Sequence, residues 1–301
     1  MAVAYESVGT AGWGGVNSAS TITITKPTGL AVGDLMVAHI GVNDEDANTG
    51  TVTASSWTSL GTAILSDGNG MAGTVVLYKV ADSGDVAASD FSFTNGSGEG
   101  MGMAGAIYRI SGSSGVPVMA GATTGDSSSP TFTNTITPAV ADSLLLFLYT
   151  GTDSVGSSQS VSGYAVTTDN PTWTERYDQY GDLFSFFGAG QGVSPLMSGA
   201  TAPRTAVSAT GDSTCSITTS YSYNTGVIVV IPPAISVTVS PAVIEATVSV
   251  QDPTVAGGAT VSPAVIELTA SVQAPTVTTP APKWVNEDKS ATSTFTNEPK
   301  S

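Results

Sequence analysis

Basic side chains are almost missing from this sequence. Eight lysines and arginines stand against 24 aspartates and glutamates in 301 residues, a formal net charge of −16. Lys283, Lys289 and Lys300 are balanced by Glu287, Asp288 and Glu298, so residues 1–282 carry the whole negative charge on only Lys26, Lys79, Arg109, Arg176 and Arg204. Such a field repels phosphate backbones and anionic bilayers, because binding either needs Lys or Arg to release counterions. Nucleic acid is thereby excluded as a partner. No run approaches the roughly 18 apolar residues of a membrane span, which excludes helical insertion. Cys215 is the single cysteine, so there is no intramolecular disulfide and no cysteine metal cluster. In STCSITTS (213–220) it alternates with polar residues and reads as a small buried apolar side chain. His39 is the single histidine, set among apolar residues in LMVAHIGV (35–42). With no G-x-S-x-G to supply a nucleophile, it reads as a structural side chain at a strand end.

Charged residues in total reach only 11%, against a usual figure of about 25%. Solubility must come from Ser, Thr, Asn and Gly, the surface of an exported or particle-borne protein. MAVAYESVGTAGW (1–13) lacks the basic and apolar regions of a secretory signal. An exported texture without that signal fits a virion protein assembled in the cytoplasm and released by lysis.

Helical periodicity is missing too, and alternation with a period of two dominates. Eleven segments read as strands: 21–25, 35–42, 74–80, 90–94, 106–111, 131–137, 143–149, 182–189, 205–210, 214–222 and 226–232. Clusters such as SDGNG (66–70) and TNGSGEG (94–100) between them are turn chemistry. Many short strands over this length imply an all-β, jelly-roll-like β-sandwich body over residues 1–232. There is also an internal echo. Ala31-Val32-Gly33-Asp34 matches Ala139-Val140-Ala141-Asp142 at an offset of 108, and Trp57-Thr58 matches Trp173-Thr174 at 116. Each turn feeds a strongly apolar strand, and each tryptophan is placed to cover one end of a core. Two such halves are expected to combine into one double sheet.

Ile231-Pro232-Pro233 ends this texture, since adjacent prolines lack ladder donors. Residues 233–280 hold two copies of a 22-residue unit, VSPAVIEATVSVQDPTV (239–255) and VSPAVIELTASVQAPTV (261–277), identical at 14 of 17 positions. A strand pair on the body and an oligomerising segment are both open readings, with a stalk or spacer preferred. Residues 281–301 form an extended tail with a second echo, Trp284-Val-Asn-Glu-Asp-Lys-Ser and Phe295-Thr-Asn-Glu-Pro-Lys-Ser.

The pairing of ITITKPTGLAVGDLMVAHI with WTSLG, and of ADSLLLFLY with WTERY, resembles structural proteins of tailed bacteriophages and prophages. WVNEDKS and FTNEPKS are similar to W-x-N-x-x-K-S repeats that end various phage virion proteins. The resemblance implies a virion location, in a tail, fibre or capsid decoration, with other virion proteins and copies of itself as partners. No signature of a phage depolymerase or lysin accompanies it.

Candidate sites follow from residue chemistry. Trp284 and Phe295 are apolar anchors trailed by Asn286, Lys289, Asn297 and Lys300, in a segment too polar to fold alone, and could dock on a partner by strand addition or by filling pockets. Trp173, Tyr177, Tyr180, Phe184, Phe186 and Phe187 mostly suit a core, with Tyr177 and Tyr180 beside Asp178 as the expected exposed recognition patch for a host glycan or receptor. Asp44, Glu45 and Asp46, with Asn43 and Asn48, supply oxygen ligands compatible with calcium, though without the EF-hand spacing. No other cofactor is implied. Paired carboxylates for glycoside hydrolysis could come from Glu175, Asp178 and Asp182, or from Asp44, Glu45 and Asp46, but acids are the abundant charge here and spacing alone selects none of them. The resulting expectation is a non-enzymatic virion component. A bacterial adhesin or carbohydrate-binding module is the alternative, and a polysaccharide hydrolase ranks third.

Overall fold

The computed structural model describes residues 2–14, 21–44, 52–66, 71–96, 102–113, 115–153, 159–180, 184–185, 192–219, 221, 223–234, 245–249 and 267–271. It divides into two compact units, Met1–Ile235 and Ser236–Ser301.

The first half of unit one supplies β1 (Ala4–Gly14), β2 (Thr21–Thr25), β3 (Leu35–Asp44), β4 (Val52–Thr53), β5 (Thr58–Ser66), β6 (Met71–Val80), the short helix α1 (Ser83–Ala87), β7 (Asp90–Asn95) and β8 (Gly102–Ser111). They form a five-stranded sheet, β1-β8-β3-β6-β5, and a three-stranded sheet, β2-β7-β4. β1 with β8, β2 with β7 and β3 with β6 are the antiparallel pairs of a rolled-up jelly roll. β5 departs from the roll by pairing β6 instead of β4.

The second half repeats this scheme with β9 (Val118–Thr124), β10 (Thr131–Phe132), β11 (Ser143–Asp153), β12 (Val161–Val166), β13 (Thr174–Tyr180), β14 (Phe184–Ser185), β15 (Gly192–Arg204), β16 (Ser213–Ile217) and β17 (Tyr223–Ile231). Its larger sheet has six strands, β9-β17-β11-β15-β13 with β14 added on β15, and its three-stranded sheet is β10-β16-β12, so apart from β14 the order is the same strand for strand. The all-β sandwich is as expected. The single double sheet is not, because each half is a complete two-layer sandwich.

The apolar runs explain why. β2 buries Ile22 and Ile24 and exposes its threonines, as a one-sided strand should. β3, by contrast, is buried on both faces. Met36, Ala38, Ile40 and Val42 pack inward with Ile24, Phe91 and Phe93. Leu35 and Val37 point the other way, into a cluster shared with Leu144, Leu146, Leu148, Val227, Val229 and Ile231 of the second half. Leu145, Phe147 and Tyr149 close the second sandwich with Phe132, Val161 and Ile228. A strand apolar on both faces needs cover on both, so the two larger sheets lie back to back as the middle layers. Trp57 rests edge-on against Phe93 with ring centroids 5.1 Å apart, and Trp173 against Phe147 at 6.1 Å, each covering its own core.

The echo itself shifts on entering the strands. Asp34 and Asp142 match at 108, but the residues that open the shared central face, Leu35 and Leu144, match at 109. The extra residue is Ser143, whose hydroxyl closes the turn onto the Val140 carbonyl at 2.8 Å. Without it every side chain of β11 would face the wrong layer.

Gly61 lies beside Met119 and Ala63 beside Gly121, so β5 and β9 run in the same direction across the central interface. β1 likewise lies over β13, where the Arg176 guanidinium sits 4.2 Å from the centre of the Tyr5 ring. This exchange is that of an approximate two-fold axis along the strands, and it points equivalent ends of the two sandwiches the same way.

Several strand boundaries differ from expectation. Residues 205–210 are not a strand; β15 ends at Arg204. Only Thr131–Phe132 of 131–137 is a strand, and the structure describes only Phe184–Ser185 of 182–189. β1, β4, β5, β9, β12, β13 and β15 lie outside the expected segments, because small and polar residues, or prolines in β15, break their alternation. In unit two, β18 (Glu245–Ser249) and β19 (Glu267–Ser271) pair antiparallel, so the two repeats bind each other.

Candidate functional site

Chain direction sorts the connections by end. β1, β3 and β5 finish, and β4, β6 and β8 begin, at one end of the first sandwich. In the second half β9, β11 and β13 finish, and β12, β15 and β17 begin, at the corresponding end. In the sequence, the segments that link these strand ends, 15–20, 45–51, 67–70, 96–101, 125–130, 154–160, 181–191 and 218–222, contain Glu45, Asp46, Asp67, Glu99, Asp126 and Asp182 and no lysine, arginine or histidine, and Asp44 and Asp153 close strands that lead into two of them.

All five cations of the body sit near strand termini at the opposite end. Lys79 Nζ meets Asp85 Oδ1 at 2.6 Å, and Asp85 also completes the capping box of α1 by accepting from the Asp82 backbone N–H at 2.9 Å. Arg109 Nε donates to Asp34 Oδ2 at 2.6 Å. Lys26 donates to the Val86 carbonyl, and Arg176 Nε to Thr201 Oγ1 at 2.7 Å. Arg204, only 2% exposed, is held by the carbonyls of Thr168, Asp169, Ser208 and Ala209. Four of the five hold a connection and Arg176 ties β13 to β15, so all five are engaged at this end. The scarcity of cations is legible in the sequence but their segregation is not, since that requires knowing which way each strand runs.

The Tyr177–Asp178–Tyr180 patch is placed differently from expectation. β13 is an edge strand, yet Tyr177 is buried in the central interface, so its ring presents no surface to a glycan. A bulge between Glu175 and Tyr177 sets the facing of the residues that follow it. Asp178 turns to the other side of the strand, where Oδ2 accepts the Val161 N–H at 3.2 Å and Oδ1 is buried without a partner. Burial pushes the Asp178 carboxyl up to about 6, with the nearby Glu175 charge adding to the rise. Burial also raises Glu175, although its side chain reaches solvent. Next to them Tyr164 and Ser198 share a hydrogen bond, and Ser198 Oγ donates to the Tyr177 carbonyl at 2.9 Å. The side chain of Tyr180, and all of Asp182, lie outside the described residues.

A carboxyl raised on folding binds its proton more tightly in the native state. Its contribution to stability is therefore complete below the unfolded value near 3.8 and is lost as pH rises through about 6. Asp178→Asn should stabilise the protein at pH 7.5, by about 1 kcal/mol once the solvent reaching the group is allowed for, and leave it unchanged at pH 3.5. Urea unfolding at the two pH values measures this. An equal effect at both would mean that the shift is absent.

His39 lies in the middle of β3, not at a strand end. It is fully buried between the central sheets, with Nε2 3.1 Å from Thr150 Oγ1. Thr74 Oγ1 joins Thr150 Oγ1 at 2.9 Å and Thr225 Oγ1 at 2.8 Å, giving a polar seam in an otherwise apolar interface. Burial lowers the imidazole to about 3. Cys215 is buried in the second core as expected, and burial pushes its thiol up.

Of the calcium candidates, Asp44 closes β3 opposite Met71, while Glu45 and Asp46 lie outside the described residues. Among the described residues no three His, Cys, Asp or Glu side chains gather as a metal site would require. The anchor residues Trp284, Asn286, Lys289, Phe295, Asn297 and Lys300 also lie outside them. No described helix is long and apolar enough to cross a membrane. No family model, no curated protein and no solved structure matches the chain.

Proposed function

We propose that the chain is a non-enzymatic structural component of a phage virion, of the tail, fibre or capsid-decoration type, attached through residues 283–301 and displaying the acidic end of its double sandwich. The observation that carries the display reading is the segregation of charge. Every body cation is engaged at the opposite end, and the segments that link strands at the displayed end contain, by sequence, six acidic residues and no cation. Such a surface binds through shape and weak polar contacts, which many copies on a particle sum by avidity. The virion assignment itself draws on the motif resemblance.

Particles purified on a density gradient from a strain carrying the gene should contain the full-length chain. A variant lacking residues 283–301 should fold with the same circular dichroism and be lost from those particles. Unchanged incorporation of the shortened chain removes the anchor role, and absence of the full-length chain from particles removes the virion reading.

A carbohydrate-binding module is favoured by one feature of the sequence, the cluster of Leu183, Phe184, Phe186 and Phe187 between β13 and β15. Binding of residues 1–235 to a glycan array, abolished by changing the three phenylalanines to alanine, would favour that reading.

A further inference from the structure

We propose that the 22-residue repeats are a homotypic strand-pairing module, through which two copies of this chain join by the free edges of β18 or β19. The register carries the argument. Glu245 stands opposite Ser271, Thr247 opposite Thr269 and Ser249 opposite Glu267. Thr247 and Thr269 occupy the same place in their repeats, as do Glu245 with Glu267 and Ser249 with Ser271. The pairing is therefore that of a strand with its own duplicate, symmetric about the central threonine. A strand of pattern Glu-x-Thr-x-Ser, turned about that threonine, sets each Glu against a Ser and never against another Glu. It is thus complementary to itself, with no like charges opposed.

What the chain does once internally it can repeat between copies. The sheet has two strands, a size marginal in water, and each strand keeps one edge without a ladder partner among the described residues. A second copy offers an edge of the same sequence in the same register. Two chains then form a four-stranded sheet with β18 against β18, or β19 against β19, antiparallel about Thr247 or Thr269. The closure is two-fold, because the contact uses the same residues on both sides. This names the module behind self-association in the reading above, but it rests on strand register alone. A chain that dimerises yet never enters particles would keep this proposal and remove the virion assignment.

The test uses the full chain with Cys215→Ala, and Thr247→Cys, Thr269→Cys and Glu245→Cys added one at a time. Directly opposed cross-strand positions lie within disulfide reach. Thr247→Cys or Thr269→Cys should give a disulfide-linked dimer under mild oxidation, and the one that does so names the edge. Glu245→Cys should not, because in this register residue 245 faces residue 249 of the other copy. In sedimentation the Cys215→Ala chain should show twice the monomer mass, and Thr247→Pro with Thr269→Pro should return it to monomer. Residues 1–235 alone should be monomeric. Equal cross-linking of all three cysteine variants means random collision and overturns the proposal, as does a monomeric full chain. A disulfide that forms only when the Thr247→Cys and Thr269→Cys chains are mixed, and in neither alone, means strand exchange, which also overturns it.

Discussion

Gly199→Ala is expected to destabilise the body by about 1–3 kcal/mol, and Tyr108→Phe in the same chain to recover much of that loss. Gly199 lies on β15 opposite Leu148, and its missing side chain is the hole into which the first half inserts Tyr108. A Cβ there would stand 1.9 Å from the Tyr108 hydroxyl oxygen and 3.0 Å from Cζ. The ring cannot swing aside, because it is fully buried among Leu146, Leu148, Val229 and their neighbours. Interiors packed like crystals answer such an insertion by moving backbone. The hydroxyl itself is buried without a hydrogen-bond partner, a state that costs about 1–3 kcal/mol. Tyr108→Phe alone should therefore be neutral or stabilising. Denaturant unfolding of the two single variants and the double variant gives the coupling directly. Additive effects would mean that the two halves do not interlock at this point.

Acid should weaken the same interface through His39, and this is the second large effect. The imidazole is held neutral down to about 3 by burial, whereas in the unfolded chain it titrates near 6.5. Below 6.5 the unfolded state takes up a proton that the native state refuses. Stability is therefore complete above that value and falls as pH drops toward 3, by about 1.4 kcal/mol per pH unit from this residue. Nε2 meets the Thr150 hydroxyl, itself linked through Thr74 to Thr225, and Nδ1 is buried without a partner, so the contacts shown supply no counter-charge to an imidazolium. His39→Leu places at β3 the residue that β11 carries at the same level, Leu148. The variant should lose this pH dependence, so that its stability relative to the natural chain rises steadily between pH 6.5 and pH 4. Asp178 acts in the opposite sense between about 4 and 6, which makes the comparison between chains, and not the absolute curve, the decisive measurement. Identical pH profiles would show that the ring reaches water.

Sequence alone determined the fold class and the two-fold echo. Alternation in TITIT and DFSFT marks one-sided strands, and the unbroken apolar runs of β3, β11 and β17 mark strands covered on both faces. The burial of Cys215 and the covering roles of Trp57 and Trp173 were likewise readable, because each follows from local residue type. β15 was not, since it carries Pro195, Gly199 and Pro203 between two partner strands, against the usual rule for a central strand. Tyr177 looked like a surface aromatic beside an aspartate until a bulge on an edge strand turned it inward. What only the tertiary structure decided is how the halves combine. Hydrophobic pattern says that β3 and β11 need a second cover, but it does not say that each supplies the other's. Nor does it say that strand direction gathers all five cations at one end. Those outcomes depend on pairing between residues far apart in the chain, which local periodicity does not encode.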